Sequence, residues 1–266
     1  MIVYPLIQAS ATQETLIEVL NLSDGFVSAH CFFVKSDTCS ELNFFLRLTP
    51  NQPLSWRAST GRTSDSVRVA PPFIGEGELK CVVATQSTSP SSHNVLQGRA
   101  IVQDTAGLTV GYAGIAFRRL SPGPYTGLVR LDGIEYEQCP DRLHFQALTS
   151  RSGSDSELVL VPCSEDLLNQ VPASTPIQFS VINEFENVFS GSIGLQCFTR
   201  RRFSTIPVLR RTTVGTDTVH AILRGVDVPV IGLVIDRFTV PGSNAVSVSS
   251  NEPHLEGGRS ATVLLP

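Results

Sequence analysis

Lysine is nearly missing from this chain: of 20 basic side chains in 266 residues, only Lys35 and Lys80 are lysines, and the rest are arginine. One reading is a preference for planar, bidentate donors; the simpler one is the codon bias of a GC-rich genome. So few lysines argue against covalent cross-linking through lysine isopeptides. Charge of either sign is sparse, at 17% against a usual share of about 25%. A net charge of −4 is too weak to draw in a polyanion over distance. No run of 18 apolar residues occurs, which excludes a membrane-spanning helix. A signal peptide is also missing: Met1 leads straight into Ile2-Val3-Tyr4-Pro5-Leu6-Ile7, without a basic n-region or apolar h-region. If the protein is secreted, the expectation is that this numbering describes a mature or trimmed form, with Met1 an added start.

What fills the chain is Ser, Thr and aliphatic side chains, with 41% hydrophobic residues, enough for a substantial core. That composition suits strands and turns better than helices. The six cysteines are Cys31, Cys39, Cys81, Cys139, Cys163 and Cys197, and none forms a C-x-x-C pair. The spacing disfavours zinc ribbons and thioredoxin-like sites. An even number spread over strand-like segments points to disulfides and an oxidising compartment. The most economical of the 15 connectivities is Cys31–Cys39, Cys81–Cys139 and Cys163–Cys197.

Hydrophobic alternation has a period of two almost throughout. It predicts strands at Thr15–Leu20, Phe26–Val34, Leu42–Leu48, Glu78–Ala84, Gly98–Gln103, Thr109–Phe117, Thr126–Leu131 and Leu143–Leu148. A second set covers Leu158–Val161, Ile177–Asn183, Phe189–Thr199, Ser204–Arg210, Asp217–Arg224, Ile231–Val240, Ala245–Ser249 and Ala261–Leu265. One helical turn is expected over Ser164–Asn169, capped by Ser164. The small, polar segment Ser150–Ser156 reads as a linker. The prediction is therefore an all-β protein of two tandem β-sandwich domains, Ig-like or jelly-roll-like: residues 1–149, a linker at 150–156, and residues 157–266. A weak repeat supports relatedness. Ile17–Asn21 leads to Cys31-Phe32, and Phe179–Asn183 leads to Cys197-Phe198. Chance similarity between hairpins is the competing explanation.

Four stretches carry a resemblance: His30-Cys31-Phe32-Phe33-Val34, Leu48 to Trp56 (LTPNQPLSW), Phe73 to Cys81 (FIGEGELKC) and Leu160-Val161-Pro162-Cys163-Ser164. They resemble a family of uncharacterised, secreted proteins from environmental bacteria. The resemblance runs from about Leu6 to the C-terminal Val263-Leu264-Leu265-Pro266. It implies secretion and a cleaved signal peptide shortly before Leu6-Ile7-Gln8-Ala9. No established activity comes with it.

A search for chemistry finds little. Ser190-Gly191-Ser192-Ile193-Gly194 only brushes the G-x-S-x-G pattern and lies in a strand rather than at an elbow. His30, His93, His144, His220 and His254 show no metal-ligand spacing; His30 and His144 read as hydrogen-bonded strand residues. Glu135 and Glu137, flanked by Asp132 and Asp141, are the best acid pair for a glycosidase, on one face of a strand-like run. Their nearness to Cys139-Pro140 suggests a loop edge. The carboxylates of Gly75-Glu76-Gly77-Glu78 could meet a cation; the favoured reading is a loop entering the Cys81 strand. Trp56 is a core anchor or, alternatively, a sugar platform. Asn21-Leu22-Ser23 is a sequon in a predicted turn. Arg200-Arg201-Arg202 with Arg210-Arg211 forms the densest positive patch, an anion or docking site or a solvated hairpin edge.

The chain therefore reads as non-enzymatic, without cofactor or metal, and extracellular or on the cell surface. The first expectation is a subunit of an assembly or filament, partnered by its own copies or other surface proteins. The apolar Ile2, Val3, Tyr4, Leu6 and Ile7 form a candidate donor strand for a neighbouring sheet; pairing within its own domain is the rival. A glycan-binding module is the second expectation, a glycoside hydrolase or viral capsid protein less favoured. Nucleic acid is not expected as a partner.

Overall fold

A computed structural model describes residues 1–64, 67–84, 94–121, 127–150, 153–239, 246–251 and 253–266. His93, the linker residues Arg151 and Ser152, and the strand-end residues Thr126, Val240 and Ala245 lie outside the described residues. In chain order the strands are β1 (Ile2–Ala9), β2 (Gln13–Asn21), β3 (Val27–Lys35), β4 (Glu41–Leu48), β5 (Pro53–Arg57), β6 (Arg62–Ser64), β7 (Val67–Ala70), β8 (Gly75–Val83), β9 (Leu96–Asp104), β10 (Thr109–Ala113), β11 (Ile115–Ala116) and β12 (Leu128–Leu131). They continue as β13 (Arg142–Leu148), β14 (Glu157–Pro162), β15 (Glu165–Asp166), β16 (Ser174–Asn183), β17 (Val188–Gln196), β18 (Thr199–Arg202), β19 (Thr218–Gly225), β20 (Val230–Thr239), β21 (Val246–Asn251), β22 (His254–Glu256) and β23 (Ala261–Leu264). Helical structure among the described residues is confined to two 3-10 turns, Phe203–Thr205 and Pro207–Leu209, and the short helix Arg211–Val214.

The protein is all-β, as its alternation predicts, but it is not two sandwiches in tandem. Its strands form small sheets of two to five strands, and its two compact units interleave along the chain. Unit 1 comprises Met1–Gln138, Glu165–Pro172 and Ser260–Pro266; unit 2 comprises Cys139–Ser164 and Ala173–Arg259. One three-stranded sheet of unit 1, β12-β23-β15, shows why no single cut separates them: it pairs strands from three distant parts of the sequence. The described C-terminal part of the Ser150–Ser156 segment is packed rather than free. Ser154 and Ser156 are buried, and the Asp155 carboxylate accepts both the main-chain N–H and the hydroxyl of Ser204. Small polar side chains let Ser154 and Ser156 pack inside unit 2.

In unit 1, one sheet runs β11-β1-β8-β3-β4 and another β10-β9-β2-β5. Strand β2 buries Thr15, Ile17, Val19 and Asn21 and turns the alternate residues outward, the signature of a half-covered strand. Strand β1 is buried along its whole length. Its register against β8 shifts between Tyr4 and Ile7, around Pro5, which has no N–H to offer a ladder.

In unit 2, sheet β17-β16-β19-β13-β22 and sheet β18-β14-β20-β21 contribute to one core. Leu143, Phe145, Phe179 and Leu223 come from the first sheet, Leu158, Leu160 and Val234 from the second, and Phe203, Val208 and Leu209 from the 3-10 turns. Ser204–Arg210 is thus not a strand: Ile206, Val208 and Leu209 are buried from tight turns, with Pro207 opening the second. The predicted helical turn at Ser164–Asn169 is also absent. Glu165–Asp166 joins β23 in parallel, and the Asp166 carboxylate accepts the Asn169 N–H in the next turn.

Candidate functional site

All six cysteines are disulfide-bonded, but the economical pairing fails. Cys31 bonds Cys81, and Cys139 bonds Cys163. Proximity in the fold, not in the sequence, decides the first: Cys31 of β3 and Cys81 of β8 are direct register partners on adjacent strands.

The face of β8 opposite Cys81 holds the most unusual chemistry. Residues two apart on a strand share a face, so Glu78 and Lys80 lie side by side, registered against Val34 and Phe32 of β3. Lys80 is 1% exposed and Glu78 fully buried. The Lys80 ammonium donates to Glu78 Oε1 at 3.0 Å and also to Glu165 Oε2, which β15 brings in from 85 residues away. Burial works against the lysine's charge, but Glu165 and Glu78 together outweigh it and hold its pKa above the ordinary range. Burial and the negative charge of Glu165 push the Glu78 carboxyl well above the carboxylate range, and a hydrogen bond between the two carboxyls adds to this. Glu78 Oε2 is buried with no hydrogen-bond partner. Glu41, in the same cross-strand row through Val34, is also raised, first by burial and further by Glu165. Low dielectric makes such a set costly unless every group is paired or neutral.

The predicted site residues fall elsewhere. Ile2, Val3, Tyr4, Leu6 and Ile7, the candidate donor strand, are paired at home: β1 pairs with β8 and β11 in its own sheet. Its remaining edge is closed by side chains of the second sheet. The Leu6 N–H donates to the Tyr112 hydroxyl at 3.1 Å, and that hydroxyl donates to the Leu6 carbonyl. Thr15 Oγ1 serves the Gln8 N–H and carbonyl in the same way, each at 2.8 Å.

In the arginine patch, Arg200, Arg202 and Arg237 converge on the buried Glu157 carboxylate. Arg210 donates to the Ser204 carbonyl and Arg211 to Asp217, while Arg201 is exposed. Internal partners therefore occupy most of this patch. Glu135 and Glu137 do not share a strand face; they sit in a loop. Glu135 is 5% exposed between Arg119 and Arg130, and Glu137 holds Arg118. Asp132 accepts the N–H groups of Ile134 and Glu135, and Asp141 holds Arg224 and Arg259.

Trp56 is 3% exposed and meets Phe44 edge-on, so it is a core anchor. His30 is buried and stacked on Phe45. His144 is half-buried and bonded to His220 and Glu256. Asn21 of the sequon is fully buried, and its amide donates to the Gly25 and Thr49 carbonyls. Among the described residues no group of three or more His, Cys, Asp or Glu could hold a metal, and no helix is long and apolar enough to cross a membrane. The sequence pattern around Glu78 reads as a loop, and it does not single out Lys80 or Glu165. The available signal is a charged pair two apart inside an apolar strand. No protein-family model, curated protein or solved structure matches the chain.

Proposed function

We propose that this is a non-enzymatic structural protein of an extracellular or cell-surface setting, of the kind secreted by bacteria, that assembles with copies of itself or with other surface proteins. The observation that carries the reading is that every cysteine is disulfide-bonded, chemistry that persists outside the reducing cytosol. The resemblance in the Cys31, Cys81 and Cys163 segments supports the same setting. With β1 paired on both sides in its own sheet, an unpaired edge elsewhere is the better candidate for an assembly contact. Strand β17 pairs only with β16 among the described residues, leaving an outer edge of nine residues. Val188 at its start is 64% exposed, and Phe185 in the turn before it 72%. Such an edge can accept a strand from another chain.

The test is sedimentation of native, unreduced material, with thiol counting and electron microscopy alongside. Defined oligomers or filaments that dissociate on Val188→Lys, with all thiols blocked as disulfides, are the expected result. A monomer at all concentrations would reject assembly, and six labelled thiols in freshly isolated protein would reject the extracellular setting.

A further inference from the structure

We propose that Lys80 and Glu165 are the two halves of a self-catalysed intramolecular isopeptide bond, with Glu78 as the proton donor that promotes it. The proposal rests on the buried cluster and not on the extracellular reading. Three observations in unit 1 carry it. The amine and the Glu165 carboxylate are in direct hydrogen-bond contact, which sets the carboxyl carbon beside the nitrogen. A second carboxyl, Glu78, touches the same amine at 3.0 Å. All three side chains are excluded from solvent.

The atoms balance without an oxidant or cofactor. The resting pair is an ammonium and a carboxylate. The proton passes from Nζ to the Glu165 carboxyl along the existing hydrogen bond, leaving a neutral amine beside a neutral acid. The Nζ lone pair attacks Glu165 Cδ. The protonated Glu78 carboxyl donates to the Glu165 oxygen on which negative charge develops. Glu78 then relays the proton lost by nitrogen to the departing hydroxyl. One C–N bond forms, one C–O bond breaks, and one water leaves.

Amide formation from free ions in water is unfavourable. Holding the two groups in contact corresponds to an effective concentration on the order of 10⁵–10⁸ M, and the dry interior opposes the return of water for hydrolysis. Burial and Glu165 raise the Glu78 carboxyl well above the ordinary carboxylate range, the direction that favours a proton donor. Such a link runs against the expectation from lysine scarcity that isopeptide cross-linking is disfavoured, but one bond within the chain needs only one lysine. That bond would tie β15 to β8.

Intact mass spectrometry of the full chain after complete reduction and alkylation decides the question. The expected mass is lower than that of the sequence by one water. Proteolysis should yield a single branched peptide joining the Lys80 and Glu165 segments. Lys80→Met should restore the full mass. Glu78→Gln, which keeps a hydrogen-bonding side chain but removes the transferable proton, should leave most of the chain unlinked, with circular dichroism reporting that it remains folded. The wild-type mass is decisive even if a variant fails to fold. A full sequence mass in aged, folded wild-type protein, or a water loss mapped to any other pair, overturns the proposal.

Discussion

Tyr112 does for β1 what a neighbouring strand would otherwise do. Its hydroxyl accepts the Leu6 N–H and donates to the Leu6 carbonyl, so both groups are satisfied where the ladder stops. Tyr112→Phe leaves them buried and unpaired, at roughly 1–3 kcal/mol for each group. Urea melts should show a loss of about 3 kcal/mol with an unchanged denaturant slope; a loss under about 0.5 kcal/mol would mean that another donor takes over. Burial also pushes the phenols of Tyr4 and Tyr112 far above their usual range. The native state therefore keeps two protons that the unfolded chain releases above about pH 10. Stability should be constant with respect to these groups below that pH and fall above it, by up to about 1.4 kcal/mol per pH unit for each tyrosine. Melts between pH 9 and 11.5, read with tyrosinate absorbance, should show ionisation and unfolding together in the native protein, and a shallower fall in Tyr112→Phe. Ionisation well before unfolding would contradict this. Little of this is legible in the sequence, because whether a tyrosine is a core residue or an edge seal depends on which strand lies opposite.

At the scale of elements, alternation locates most strands, because one covered face leaves a period of two in the sequence. The failures share a cause. Ile206, Val208 and Leu209 are apolar and closely spaced, yet tight turns bury them as well as a strand would. The repeat is half right. Asn21 and Asn183 both end a strand and organise the turn after it: Asn21 Oδ1 accepts the Ser23 N–H, and Asn183 Oδ1 accepts those of Phe185 and Asn187. Beyond those turns the two units diverge. Strand β17 returns as a hairpin partner of β16, whereas β3 leaves the sheet of β2 and joins β8 and β4. An Asx turn is local and readable; the choice of sheet is not. The placement of β1 gives a further expectation. Deleting residues 1–10 removes an internal strand from between β11 and β8, and should unfold unit 1 rather than merely disperse an assembly. Loss of amide-exchange protection in β8 would be the sign. A deletion variant with native protection there would show that β1 is dispensable and reopen its role as a donor.

For the whole molecule, the decisive feature is that sequence order and spatial order disagree. Composition makes residues 150–156 look like a linker, because it reports side-chain size and polarity but not what the segment packs against. The Lys80 cluster is invisible in the sequence for the same reason: its two halves come from strands 85 residues apart, and nothing near Glu165 advertises a lysine partner. The consequence can be tested by cutting the chain. Residues 1–149 alone would retain β12 but lose its partner β23, and would retain Lys80 but lose the Glu165 carboxylate. Losing a buried carboxylate from this set together with the β23 ladder partner takes away a sizeable part of a stability that in many domains is only about 5–15 kcal/mol. The fragment should therefore be aggregated or lack a cooperative thermal transition, while the full chain melts cooperatively. Supplying residues 165–172 and 260–266 through short flexible linkers should restore much of the transition, because those are the missing pieces of unit 1. If residues 1–149 folded unaided with full-length stability, the interleaved assignment would be wrong and the boundary suggested by composition would stand.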